Sequence, residues 1–354
     1  MLSYNKLNYG FVTGWGNAWR NLKIRGKYVL MRLQRIVYPD VYCLPYWLGG
    51  KCHFIANGAK VDAGKYDFIF AELNAGVNQL RYLAQLVEAA PRKMVIITTP
   101  GEIFQANATK RAQGLATWIL RRAGRVWAYS EAAANFANEC AQAQVARVIP
   151  WPFDYAETRR RGLPRRSRQV ETRRILVGVP LRFVGIAANA PHFLEECLTD
   201  VWTAMPPGAR NQFQFCGMVY TKEDEVAWRQ SGFGSRLGVA LEPRRNYVNF
   251  LKFLGTCDAV ITLPRFRVLG RITFLAAALG KPGVFTANVE LSRRLYPQSL
   301  VETPTDEALR DRVRDLLYGL LNLGPIDAFL PDVRAAEEVG DFAANAARVR
   351  ELLA

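Results

Sequence analysis

The chain has 354 residues, half of them apolar and 12% aromatic, and carries a formal net charge of +16. That composition excludes a disordered chain and supplies material for two cores; no run of about 18 apolar residues suggests a membrane span, and MLSYNKLNYG lacks the apolar block of a leader. Six cysteines without a CxxC, and only His53 and His192, exclude a disulfide framework and a structural metal site, and a reducing, cytoplasmic setting is expected.

Short β-rich runs alternate with helical patterns from end to end, which predicts α/β architecture with parallel sheets. In the first half, strands are expected near 9–13 (YGFVT), 52–55, 66–71 (YDFIFA), 93–98 (KMVIIT), 125–129 (RVWAY) and 146–149. Helices are expected at 76–89, 106–122 and 131–139, with Ser130 before Glu131 as the cap of the last. Residues 157–174, ETRRRGLPRRSRQVETRR, hold eight Arg with Gly and Pro and almost nothing apolar, the composition of a linker. The second half repeats the logic, with strands near 174–179, 212–216, 237–241, 258–263 and 282–286. Its helices fall at 191–204, 222–230, 246–254, 270–279, 306–321 and 333–353. The simplest architecture is two Rossmann-like, doubly wound domains facing a central cleft. Their expected bounds are 1–156, an Arg-rich linker 157–173, a second domain 174–330 and a C-terminal helix 331–354.

The charge is unevenly divided. Residues 1–174 hold 27 basic and 11 acidic groups, whereas 175–354 hold 20 of each. A basic first half is expected to face something large and anionic, and a neutral second half to enclose a small ligand.

The most legible segment is CDAVITLPRFRVLGRITFLAAALGKPGVFT (257–286). It reads as a buried strand, a loop with Pro264 and Gly270, a helix opening near Arg271, and Gly280–Lys281–Pro282 before the next strand. A helix N-terminus offers unpaired N–H groups and a positive dipole end, and Gly270 admits a ligand to the backbone. With Arg265, Arg267 and Arg271 clustered at this mouth, a diphosphate fits. An ordinary βαβ turn with solvated arginines fits too.

This block resembles the donor-binding segment of glycosyltransferases with the two-Rossmann GT-B architecture. VWAYSEAAANFA (126–137) with ARVIPWPFD (146–154), RILVGVPLRF (174–183) and LYPQSLVETPTDEAL (295–309) resemble other landmarks of that family, and the likeness covers most of 60–325. It implies a nucleotide-sugar co-substrate, a UDP-sugar first, with no metal and no other cofactor, and it places Arg182 among the donor contacts. Two glutamates usual in the retaining branch are replaced by Arg267 and Leu275, which leaves open a nucleotide held differently or a non-catalytic binding protein on a degenerate scaffold. An epimerase or a phosphorylase is a further reading, the latter needing a lysine such as Lys281.

A narrower likeness is to phage DNA glucosyltransferases, in which a carboxylate after a central strand acts as base. KMVIITTP (93–100) runs into Gly101 and Glu102, so Glu102 is the base candidate and Glu72, after YDFIFA, the second. A base is needed to take the acceptor proton, and arginine forks suit the departing diphosphate. Gly14, Trp15, Gly16 and Asn17 follow the first strand, and in this architecture that loop lines the acceptor side; GWGNAW is not a dinucleotide fingerprint. Arg121 and Arg122 belong to a second cluster of basic and aromatic residues. The expected partner is a polyanionic acceptor, with modified bases of DNA favoured over a membrane-proximal glycan. The expected enzyme is a monomer, in the host cytoplasm if phage-encoded.

Overall fold

A computed structural model describes residues 7–13, 48–73, 77–98, 109–150, 153–163, 172–177, 194–218, 226, 240–242, 247–264, 269–303 and 305–354. The chain divides into two compact units, Met1–Asp154 with Val339–Ala354, and Tyr155–Glu338.

The first unit is built on a six-stranded parallel sheet of order β2-β1-β3-β4-β5-β6. The strands are β1 (Asn8–Thr13), β2 (Lys51–Ala56), β3 (Phe68–Glu72), β4 (Met94–Thr98), β5 (Arg125–Ala128) and β6 (Ala146–Val148). The all-apolar run of β4 marks a strand covered on both faces, and every residue of it is buried. Helices α1 (Val77–Ala89), α2 (Lys110–Arg122) and α3 (Glu131–Ala141) connect the later strands. They bury Leu80, Leu83, Val87, Ala112, Ala116, Ile119 and Ala137 against the sheet. Ser130 caps α3 as expected, its hydroxyl accepting the Ala133 N–H at 3.2 Å. Trp127 is fully buried and donates its indole N–H to the Ile149 carbonyl at 2.8 Å, which settles its polar edge inside the core.

The second unit repeats the design with a sheet of order β12-β11-β10-β7-β8-β9. Its strands are β7 (Arg173–Val177), β8 (Phe213–Met218), β9 (Ala240–Glu242), β10 (Ala259–Thr262), β11 (Gly283–Thr286) and β12 (Leu300–Val301). Each sheet carries the same clasp at the amino end of a central pair. Asp258 accepts the Arg174 N–H at 2.7 Å while its own N–H reaches the Arg174 carbonyl at 2.6 Å. Asp67 does the same for Asn8, at 2.7 and 2.9 Å.

The Arg-rich stretch opens as a helix, α4 (Tyr155–Gly162). Glu157 pairs with Arg160 at 2.8 Å and with Arg161, and Arg159 donates to the Ala278 carbonyl at 3.4 Å. α4 packs on α7 (Tyr247–Thr256) through two glycines: a methyl on Gly255 would fall inside the Gly162 carbonyl, and one on Gly162 would meet Leu279 at 2.6 Å. Apolar periodicity cannot signal such a helix, because ion pairs and backbone contact hold it.

Helices α5 (Leu194–Ala204) and α6 (Pro207–Arg210) precede β8, and α8 (Arg271–Ala278), α9 (Ser292–Leu295) and α10 (Asp306–Leu320) follow β10. α5 and α10 share a core of Leu198, Val201, Val313, Leu316 and Leu317. Residues 333–353 form two helices, α11 (Val333–Val339) and α12 (Phe342–Leu353), rather than one. Gly340 interrupts them, and Asp341 caps the second by accepting the Ala344 N–H at 2.9 Å. α12 belongs to the first unit, where the Arg125 guanidinium donates to the Leu352 and Leu353 carbonyls at 2.7 and 3.0 Å and to the Arg92 carbonyl at 2.8 Å. Burial, then the neighbouring Arg147 charge, lowers the Arg125 pKa from its ordinary value. Among the described residues no helix is long and apolar enough to cross a membrane.

Candidate functional site

In the second unit a polar site forms at the carboxyl ends of β10 and β11. β10 is buried throughout and delivers Leu263 and Pro264 to this edge, where open parallel sheets bind ligands. The chain then enters α8 through Gly270, whose φ of +90° lies in the left-handed region. A side chain there would be strained and would also collide with Val289, whose Cγ1 lies 2.5 Å from the position of a Cβ. Glycine therefore solves both the turn and the close approach. No side chain caps α8, and the positive dipole end of a helix favours an anion there.

The turn after β11 is held by hydrogen bonds and is tied to the same mouth. Thr286 Oγ1 and Asn288 Nδ2 donate to the Pro264 carbonyl at 3.3 and 2.9 Å. Ser292 Oγ donates to the Thr286 and Val289 carbonyls at 3.0 and 2.5 Å. The Leu291 N–H reaches the Leu269 carbonyl at 3.3 Å. Two hydroxyls on this edge, of Thr262 at the end of β10 and Thr273 in the first turn of α8, are buried without a hydrogen-bond partner among the described residues. Buried hydroxyls are normally satisfied, and their concentration beside an uncapped helix marks this edge as polar beyond what packing needs.

Of the residues singled out in the sequence, the structure brings Gly270 and Arg271 to this mouth. Leu275 is turned into the core at 2% exposure, so it offers a ligand nothing polar. Lys281 lies past the far end of α8 and donates to the Gly255 carbonyl at 2.7 Å; burial lowers its pKa despite the nearby Cys257 and Asp258. Asp258 is the clasp described above. In the first unit, Glu72 is the last residue of β3, and the next N–H, of Leu73, donates to the Ile97 carbonyl at 2.9 Å. That places a carboxylate at the carboxyl end of the sheet, beside the strand end that leads toward Glu102.

Arg121 and Arg122 end α2. Arg121 donates to the Ala141 carbonyl at 3.2 Å and to Gln142 at 2.7 Å, joining α2 to α3, and Arg122 lies 4.9 Å over the Trp118 ring. Gly14, Trp15, Gly16, Asn17, Glu102, Arg182, His192, Arg265 and Arg267 lie outside the described residues. Sequence reasoning missed Thr262, Thr273 and Asn288. The available signal was a threonine closing each apolar strand, Thr262 and Thr286, followed by a short polar turn.

No protein-family model matches the chain, and no curated protein matches it in sequence. Solved structures do match in fold. Anabaena Alr3699/HepE, solved with UDP and glucose and with UDP-glucose, is 15% identical, with a TM-score of 0.68 over 98% of this chain and 99% of its own. Sucrose-phosphate synthase from Thermosynechococcus elongatus is 13% identical, with a TM-score of 0.62 over 98% of both chains. The alpha,alpha-trehalose 6-phosphate synthase from Burkholderia multivorans is 10% identical, with a TM-score of 0.61 over 93% of this chain and 75% of its own. Two parallel sheets with alternating helices, in this order and over this length, are the GT-B fold of glycosyltransferases.

Proposed function

We propose that the protein is a glycosyltransferase that moves a sugar from a UDP-sugar to an acceptor hydroxyl. The observation that carries this reading is the uncapped α8 mouth at Gly270, on a fold that matches a UDP-glucose-bound structure along nearly its whole length. In this reading the diphosphate sits at the α8 N-terminus, where oriented N–H groups, Arg271 and Arg182 stabilise the charge that grows on the leaving group. Arg265 and Arg267, a few residues before Gly270 in the sequence, are assigned to the same diphosphate in this reading. A carboxylate, Glu102 first and Glu72 second, takes the acceptor proton as the new glycosidic bond forms. The cations in this scheme are guanidinium groups, and it assigns no step to a metal.

The acceptor in this reading is polyanionic, since the excess charge lies in residues 1–174. On the described surface α2 contains no acid and exposes Lys110, Arg111, Arg121 and Arg122. DNA is preferred over a membrane-proximal glycan, with Gly14–Asn17 on the acceptor side and the enzyme acting as a cytoplasmic monomer.

The test is transfer of labelled glucose from UDP-glucose, with hydroxymethylated duplex DNA, an anionic glycan and phosphosugars as acceptors, in buffer containing a chelator. Incorporation that falls at least a hundredfold in Glu102→Gln or Glu72→Gln identifies the base. Incorporation into phosphosugars alone would overturn the DNA acceptor, and wild-type protein that neither binds nor hydrolyses any UDP-sugar would overturn the whole reading.

A further inference from the structure

The first unit has a concavity at the amino end of its sheet, opposite the carboxyl edge that carries Glu72. Phe68 opens β3 and Glu72 closes it, so the two ends lie roughly 13 Å apart. A cavity of about 500 Å³ opens at the amino end, with Phe68, Val145 and Leu352 among its apolar walls. Arg92, Arg125, Arg147 and Glu351 bring charge to it. All of these residues belong to the first unit, and the volume is that of a small-molecule site.

Strand register builds the charged wall. Arg147 of β6 pairs with Trp127 of β5, and alternate residues of a strand return to one face. Arg125, Trp127 and Arg147 therefore share the face on which Arg125 meets α12. Arg92 comes from the 3-10 turn Pro91–Lys93, which is pinned to the start of β5. The Gly124 N–H donates to the Pro91 carbonyl and the Arg125 guanidinium to the Arg92 carbonyl, both at 2.8 Å. Glycine permits this approach, since a methyl on Gly124 would fall 2.9 Å from the Arg92 Cα.

The three guanidinium groups differ in what they can still do. Arg125 commits its three nitrogens to the Leu352, Leu353 and Arg92 carbonyls and lies 5.0 Å over the Phe68 ring, so it adds charge without an open fork. Arg92, Arg147 and Glu351 are exposed, and among the described residues their side chains make no ion pair or hydrogen bond. Burial first, and the Arg147 charge after it, lower the Arg125 pKa; the second is a repulsion that an anion removes. Two open forks match the terminal oxygens of a phosphate. Three guanidinium groups against one carboxylate leave an excess of two positive charges at the cavity, and a phosphomonoester carries about two negative ones at neutral pH. Glu351 can accept from hydroxyls on the carrier. We propose that this cavity binds a small sugar phosphate, with Arg92 and Arg147 on the phosphate and Glu351 on a hydroxyl. Such a ligand touches β6, the Pro91–Lys93 turn and α12 together and so tightens the closure of the first unit. The site is separate from the donor and acceptor edges and does not depend on the donor reading.

The test is calorimetric binding of glucose 6-phosphate, inorganic phosphate and glucose to the 354-residue chain at fixed ionic strength, with UDP in excess to occupy any uridine nucleotide site. Glucose 6-phosphate should bind wild type, and Arg92→Gln and Arg147→Gln should each weaken it at least about tenfold. Both positions are exposed, and unchanged melting temperatures confirm that the variants fold. Inorganic phosphate should bind more weakly than glucose 6-phosphate, and Glu351→Gln should shrink that difference. Binding that neither arginine variant weakens overturns the inference, as does wild-type protein that takes neither phosphate ligand at millimolar concentration. Equal binding of the two phosphates, unmoved by Glu351→Gln, overturns the assignment of a sugar phosphate. Duplex DNA whose binding the arginine variants weaken, with neither phosphate ligand bound, places the cluster on a polyanion surface and overturns the inference as well.

Discussion

Gly270→Ala tests the geometry on which the site depends. The backbone cost follows from the φ of +90°; a side chain in the left-handed region costs about 1 kcal/mol. The steric cost follows from a methyl placed 2.5 Å from Val289 Cγ1 and 3.1 Å from Thr273 Oγ1, and overpacking of this kind costs about 2 kcal/mol. The single variant should lose about 3 kcal/mol. Val289→Ala, at a fully buried position, should lose about 2 kcal/mol from transfer and cavity terms. In the double variant the new methyl no longer meets the valine, so the steric cost is relieved while the backbone cost and the Val289→Ala loss remain. The expected loss is about 3 kcal/mol rather than the additive 5 kcal/mol, a coupling of about 2 kcal/mol. Urea unfolding of the four proteins, fitted with one slope, measures it. Additivity within about 0.5 kcal/mol would show that Val289 does not press on Gly270 and would refute the packing argument.

Two further outcomes follow from the clasps and the ion pairs. Asp258→Ala orphans the partly buried Arg174 N–H and should cost about 1–3 kcal/mol, whereas Asp67→Ala, at an exposed bond that water can replace, should cost under about 1 kcal/mol; equal losses in urea unfolding would contradict this ranking. For Glu157, burial raises the carboxyl pKa, but hydrogen bonds and charge from Arg160 and Arg161 outweigh it and leave a net value below the ordinary 4.5. Its contribution is therefore present above pH 4.5 and is lost as pH falls through the lower folded value. Melting curves of wild type and Glu157→Gln should converge as pH drops below that range, and a gap that stays constant from neutral to acid pH would refute the assignment.

The fold was legible where one physical signal dominated. MVIIT and AVIT announce strands covered on both faces, and GRITFLAAALGKP announces a helix with glycine at both ends, so sheet and helix order could be read from the chain. What escaped was held by other means. α4 has no apolar stripe, and its glycine contact with α7 joins residues 93 apart in sequence, Gly162 and Gly255. β12 has only two residues, too short for periodicity. The site was half legible. Gly270 and Arg271 follow from the punctuation of a βα turn, whereas Thr286 and Asn288 reach back to the Pro264 carbonyl, a folding of the chain that spacing does not encode. Asp258 shows the opposite case, a carboxylate at the head of an apolar strand that is consumed by a backbone clasp.

The division of the chain has a consequence for how the protein is made. The second unit is one continuous stretch, Tyr155–Glu338, while the first is completed by Val339–Ala354. During synthesis, the second unit therefore emerges whole before the Arg125 guanidinium meets the Leu352 and Leu353 carbonyls. Until then the first unit waits on the ribosome with the α12 side of its sheet uncovered. An excised gene for residues 155–338 is the natural dissection, whereas residues 1–154 alone would lack their closing helix and need it supplied as a second chain.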